Sequence, residues 1–367
     1  MSKLVPVEQG VAKALLDTSF MKKAGMYSIV DGQFGSTGKG LLAAVMGEVF
    51  SRHNALDCVT SNAGPNSGHT FYYRDEKIVL RQLPSAAVWK ACAGLQTYVH
   101  LNAGSIIIPN LLIEEIRMYG GPNLMVTIDP MAAVVTSDAV AQEKELVGAV
   151  GSTGKGTGAA LANKIMRKEG AVMMDVFYDY EWPENTWLKA VNLGDGIDQD
   201  EARILMEVSQ GFSLSLNASG FYPYCTSRDC TVAAAMSDAG VHPSLHRGCA
   251  MVVRTFPIRV AGNSGSGYPD QHELSWEQVG QTPELTTVTQ KERRIFSWSK
   301  MQYVEALKAN RPEIIMSNFM NYLPEGVDHY AWVRKNIVHP YEAIFGKPPE
   351  LVLLGYGPEN ADVEVYQ

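Results

Sequence analysis

The same six residues, GSTGKG, occur at 35–40 and again at 151–156. Glycine, hydroxyl and lysine at this density suit an anion, because free backbone N–H groups cradle it and the ammonium adds a full charge. The first copy lies between a buried strand, MYSIV (26–30), and an apolar helical run, LLAAVMGEVF (41–50). Lys39 therefore stands where a helix N-terminus presents the positive end of its dipole. A glycine turn with a solvated lysine is the bland alternative. Neither copy is a Walker A loop: position 33 is Gln, and Gly40 and Gly156 stand where that motif places its magnesium-binding hydroxyl.

Other clusters have chemical potential. SNAGPNSGHT (61–70) puts Asn66, Gly68 and His69 on a loop between strands, where catalytic groups tend to sit, although a lone histidine is more often structural. His242 and His246 lack a third ligand for a metal. TSRDC (226–230) precedes a helical stretch and reads as a cap or an anion holder. TTVTQKERR (286–294) sets hydroxyls beside three cations and reads either as a solvated loop or as a cradle for a carboxylate.

Strands at 26–30, 55–61, 97–101, 124–129, 202–208, 249–260, 313–317 and 350–355 must position these loops. They alternate with helices at 41–50, 110–119, 137–147, 158–168 and 299–310, and 69–83 reads as a hairpin. That alternation predicts an α/β fold with a mostly parallel central sheet flanked by helices. No segment is rich enough in Pro, Gly or Ser to divide the chain, so 1–367 reads as one domain with large insertions. The flanks of the two GSTGKG copies differ, which argues against an internal duplication.

Lys and Arg number 31 against 39 Asp and Glu, and a net charge of −8 does not suit a general nucleic-acid surface. No apolar run approaches the ~20 residues of a membrane span. The five cysteines contain no C-x-x-C pair, and the start has no long apolar signal region, so a reduced, cytoplasmic setting is expected.

In the same order, and along nearly the whole chain, these stretches resemble adenylosuccinate synthetase. GQFGSTGKG resembles that family's G-x-Q-W-G-D-E-G-K-G, NSGHT its N-A-G-H-T, and LPS (83–85) its I-P-S. GSTGKGTGA (151–159), EVSQG (207–211), YPYCTS (222–227), TVTQKERR and GYGP (355–358) match its later motifs. Two departures stand out. The family's D-E, with its catalytic aspartate, is replaced by Ser36 and Thr37, and its guanine-reading T-K-L-D by SNFMNY (317–322). A serine cannot serve as a carboxylate base at neutral pH. Both changes suit a phage-type variant of the family that takes dGMP rather than IMP and ATP or dATP as donor, which would place it in a host-cell cytoplasm.

The resemblance implies a fold related to P-loop NTPases and a Mg2+-dependent carbon–nitrogen ligase. The donor's γ-phosphoryl group passes to O6 of the purine, and the amine of L-aspartate then displaces phosphate at C6. Ser36, Lys39 and His69 are implied as the catalytic set, with Ser36 and the Gly68 carbonyl at the metal. Gly35, Thr37, Gly38, Lys39, Gly40, Thr70, Asn318, Gly355, Gly357 and Pro358 would face the donor nucleotide. Ser36, Asn66, Ser152, Thr153, Gln210 and Thr226 would hold dGMP, with Arg167 supplied by the neighbouring subunit of a homodimer. Thr289, Lys291 and Arg293 would take the aspartate carboxylates, although Lys291 stands where the family carries Arg and lacks its bidentate fork. An ordinary adenylosuccinate synthetase using IMP and GTP, or a catalytically dead nucleotide-binding homologue, are the alternative readings of the same residues.

Overall fold

The computed structural model describes residues 6–150, 154–189, 201–286 and 290–367. Its centre is a ten-stranded sheet. In chain order the strands are β1 (Gly25–Asp31), β2 (Cys58–Ser61), β3 (Thr97–Leu101), β4 (Leu124–Ile128), β5 (Thr186–Leu188), β6 (Arg203–Glu207), β7 (His246–Arg254), β8 (Ile314–Asn318), β9 (Leu351–Gly355) and β10 (Val363–Val365). Their spatial order is β10-β9-β8-β7-β1-β6-β2-β3-β4-β5, and every pairing is parallel except that of β10. From β1 the chain builds outward to β5. It then returns to insert β6 between β1 and β2, and crosses to β7 on the far side of β1. The order reverses around β1, and in such sheets ligands bind beyond the carboxyl ends of the strands at that point.

β1 is buried along its whole length because both sheet faces are covered, which explains an unbroken apolar run instead of an alternating one. Tyr27 and Ile29 join one hydrophobic cluster with helices α1 (Gln9–Asp17), α2 (Lys39–Arg52), α3 (Ser85–Cys92) and α4 (Pro109–Tyr119). Met26 and Val30 point the other way, into a cluster with the helices Val232–Asp238, Lys300–Asn310 and His339–Phe345. Two further helices, α5 (Ser137–Val150) and α6 (Thr157–Ile165), flank the second GSTGKG copy.

The hairpin expected at 69–83 forms from His69–Tyr73 and Glu76–Leu80, turning on Arg74 and Asp75 at φ of +51° and +64°. Two strand expectations are corrected. The run 249–260 is broken: β7 stops at Arg254, and Ile258–Arg259 joins a separate antiparallel sheet with Arg294–Phe296 and Glu273–Leu274. Pro257, which has no N–H to give a ladder, lies at the break. The strand 350–355 is not the last, because β10 returns antiparallel along its edge. Among the described residues no helix is long and apolar enough to cross a membrane.

Candidate active site

Three adjacent central strands each end on a charged residue: β1 on Asp31, β6 on Glu207 and β7 on Arg254. All three are almost fully buried. A charge is costly there unless it is paired and hydrogen-bonded, so each has organised the loops around it.

Asp31 organises the first GSTGKG loop. One carboxylate oxygen accepts from the backbone N–H groups of Gln33 (2.8 Å) and Gly35 (3.3 Å). The other accepts from the Thr37 hydroxyl at 2.6 Å and meets the Lys39 ammonium at 3.5 Å. Lys39 also donates to the Gln210 carbonyl at 2.7 Å, and Gln210 in turn donates through its amide to Asn66 at 3.1 Å. Lys39, Gln210 and Asn66, far apart in sequence, therefore form one chain of contacts. Gly38 caps α2 in the left-handed region at φ +92°, and among the described residues no side chain bonds that helix end, which leaves the first N–H groups of α2 open to an anion. Gly40 is required by packing: a Cβ there would lie 2.5 Å from the Thr70 carbonyl.

Glu207 carries His69. Its Oε2 lies 3.1 Å from His69 Nδ1 and accepts from the Ser85 N–H, while its Oε1 accepts from that of Ala86 at 2.7 Å, at the start of α3. An ionised carboxylate only accepts, so the hydrogen of this contact sits on Nδ1, and Nε2 carries one as well only in the imidazolium form.

Arg254 ties the first loop to the 284–294 segment. Its guanidinium donates to the Ser36 carbonyl at 3.1 Å and forks onto Glu284 at 2.5 and 3.3 Å. It also lies 3.8 Å from the Phe319 ring centre. Burial pushes the Glu284 carboxyl up, but Arg254 beside it, with Arg293 and the Tyr322 phenol, holds it below the usual range. Arg293 donates to the Ser36 hydroxyl at 3.1 Å, so an arginine from the 284–294 segment touches the first loop. Lys291 is exposed, and its carbonyl and N–H close a turn with Thr286.

Asn318 is buried between Gly38 and Gly355, where added Cβ atoms would approach it to 2.0 and 2.2 Å. Its amide donates to the Thr37 carbonyl at 3.1 Å and its oxygen accepts from the Phe319 N–H. Here Asn318 braces the first loop, while Gly357 and Pro358 lie in the turn beyond β9. Thr226 donates its N–H to the Leu214 carbonyl at 2.7 Å. Arg167 is exposed at φ +57° just beyond α6. Ser152, Thr153 and Thr289 lie outside the described residues. The oxygens of Asp31, Ser36 and Thr37 are hard donors, the type Mg2+ takes, and so is a backbone carbonyl such as that of Gly68. With no cluster of three acidic, His or Cys ligands among the described residues, such an ion would be held largely by phosphate and water oxygens.

Sequence reasoning passed over Asp31, Glu207, Arg254, Glu284 and Glu143. The signal for the first three was present: a charge closing an apolar run in SIVD, ILME and MVVR. Glu143 takes the second loop's helix end, accepting from the N–H groups of Gly156, Thr157 and Gly158, and no local pattern marks it.

The family model for adenylosuccinate synthetase matches residues 28–193 and 184–317. The chain is 40% identical to the N6-succino-2-amino-2'-deoxyadenylate synthase of Vibrio phage phiVC8, over 92% of this chain and 97% of that one. Among solved structures it superimposes on the succinoaminodeoxyadenylate synthetase (PurZ) of cyanophage S-2L, bound to dGMP and dATP as an energy donor. There the TM-score is 0.81 at 30% identity, covering 94% of this chain and 96% of that one. Fully ligated adenylosuccinate synthetase from Plasmodium falciparum shares the fold, with a TM-score of 0.72 at 18% identity over 93% and 99% of the two chains. By motif order, sequence and fold, the chain belongs to the adenylosuccinate synthetase family.

Proposed function

We propose that this protein joins L-aspartate to C6 of dGMP at the expense of ATP or dATP. The products are N6-succino-2-amino-2'-deoxyadenylate, phosphate and ADP or dADP. The observation that carries the choice of acceptor is Ser36. It is the one exposed residue of the Asp31–Gly40 segment, whose other residues are buried except the part-buried Gly38, and it stands where the family's D-E begins. A short hydroxyl there leaves space beside the purine edge for the 2-amino group of dGMP, which a carboxylate would crowd. Loss of the guanine-reading pair at 317–322 agrees with an adenine donor.

In the first step the purine O6 attacks the donor's γ-phosphorus, the bond to the β,γ-bridging oxygen breaks to release ADP or dADP, and the N1 proton of the purine passes to solvent. Lys39 and the open N–H groups of α2 neutralise the transferring phosphoryl group, which is the main service such a reaction needs. His69, oriented by Glu207, turns Nε2–H toward O6 and stabilises charge there. In the second step the aspartate amine forms its bond to C6 and phosphate leaves. Lys291 and Arg293 hold the aspartate carboxylates, and Asn66 and Gln210, with Thr226 and the Ser152–Thr153 pair, hold the 5′-phosphate. Gly35, Thr37, Gly38, Gly40, Thr70, Asn318, Gly355, Gly357 and Pro358 frame the donor. Mg2+ is the implied cofactor. Ser36, the Gly68 carbonyl and the Asp31 and Thr37 oxygens would help hold it, and when bound it would offset the charge of the transferring phosphoryl group.

The chain is read as one domain, 1–367, and as half of a homodimer. Ile165, Met166, Met174 and Tyr178, each more than half exposed, flank Arg167 in sequence and would favour a second copy there. That would let Arg167 reach the neighbouring active site. A purely monomeric sedimentation profile with dGMP bound would sink this part. The activity is tested by phosphate release from purified protein with Mg2+, ATP, dGMP and L-aspartate. Turnover with dGMP is expected. Turnover with IMP and none with dGMP identifies an ordinary adenylosuccinate synthetase, and binding without phosphate release a dead homologue.

A further inference from the structure

We infer that the Arg254–Glu284 pair, a buried arginine on a part-buried glutamate, is a positioning unit coupling L-aspartate binding to Ser36. The inference rests on the reading above, in which Arg293 takes an aspartate carboxylate and Ser36 faces the purine.

Ser36 is gripped at two atoms by two arginines. Arg254 holds its carbonyl and Arg293 its hydroxyl. Both arginines answer to Glu284: its side chain takes the Arg254 fork, and its backbone carbonyl accepts from the Arg293 N–H at 2.8 Å. Tyr322 adds a third tie, its phenol donating to Glu284 at 3.1 Å. The Arg254 backbone is also fixed, since its N–H and carbonyl both bond the side-chain amide of Gln33 in the first loop. The first loop and the aspartate segment therefore share one rigid anchor.

The Arg293 side chain is the movable part. Its backbone is pinned by Glu284 and by the Trp276 indole, which donates to its carbonyl at 2.7 Å, whereas among the described residues its guanidinium bonds Ser36 and the Leu285 carbonyl. A substrate carboxylate is a stronger partner for a guanidinium than a neutral hydroxyl. When aspartate arrives, Arg293 exchanges Ser36 for it, and the Ser36 hydroxyl is released to turn toward the purine edge. Arg254 meanwhile keeps the Ser36 backbone at φ +55°, a conformation a non-glycine residue holds only when its surroundings impose it. Aspartate thus completes the purine site, and linkage requires dGMP to tighten aspartate equally.

The test is calorimetric binding of dGMP with a non-hydrolysable ATP analogue and Mg2+, with and without saturating L-aspartate. It is run on the wild type, Glu284→Gln, Arg254→Lys and the double variant. In the wild type aspartate should tighten dGMP by about 5- to 20-fold. Each single variant should bring that factor close to one, and the double variant should add nothing further, because the two residues act as a unit. In steady state Glu284→Gln should raise the aspartate KM about tenfold while moving the dGMP KM less than about threefold. If Glu284→Gln fails to fold by circular dichroism, Tyr322→Phe removes one tie to the same carboxylate and should give an intermediate factor. An unchanged coupling factor, or equal rises in every KM, overturns the inference. If the wild type neither binds nor turns over dGMP, it is the functional reading that fails.

Discussion

At the first GSTGKG copy, helix α2 begins at the lysine, Lys39, with Gly38 as its left-handed cap. At the second, α6 begins only after the final glycine, with Gly156 in that role. The same six letters thus meet their helices two residues apart. In the first copy Lys39 is buried against Asp31 and the Gln210 carbonyl, and the helix end is open. In the second Lys155 lies before the cap, only part-buried, and Glu143 already occupies the helix end. A helix N-terminus attracts an anion only while its N–H groups are free, and here a carboxylate from α5 has taken one of the two. Identical local sequence gives two different electrostatic sites because residues outside the hexapeptide decide which N–H groups remain available.

The comparison is broken most directly at the lysines. Lys39→Met should lower kcat by about 10²–10³-fold, the scale of removing one preorganised donor from a developing anion. Lys155→Met should change kcat by less than about threefold, and equal losses would show that the two loops share one role. A finer test lies in the carboxylates. Asp31→Asn leaves the buried Lys39 charge with a neutral partner and turns an amide toward Thr37. It should cost roughly 3 kcal/mol in denaturant unfolding and lower kcat about tenfold or more. Glu143→Gln should cost only about 1–2 kcal/mol, with kcat within about twofold, since it loosens a helix end without touching the donor side. A Glu143→Gln enzyme as impaired in kcat as Asp31→Asn would mean that the second helix end takes part in the chemistry.

Much of the fold was legible. MYSIV, ELVLLG and EIIMS read as buried strands because helices on both faces leave no polar alternation, and the same pattern forecast the parallel sheet. The break in 249–260 was harder to see, because hydrophobicity continues through FPIRV and only Pro257 signals that the ladder cannot. Within the site, His69, Lys39 and Gln210 could be named from motif order. Their supports could not, because Glu207 lies 138 residues from His69, and Glu284 lies 30 from Arg254.

By itself the sequence determined the order of elements, the family motifs and the two replacements, Ser36 and Asn318, at which this chain departs from those motifs. Those are properties of residue type and spacing. Tertiary structure alone decided which GSTGKG loop keeps an open helix end, that Asn318 braces Gly38 and Gly355, and that Ser36 lies under two arginines bound to one glutamate. Each of these depends on how a buried charge or amide satisfies its hydrogen bonds, and the partners come from strands that are neighbours only once the sheet has formed.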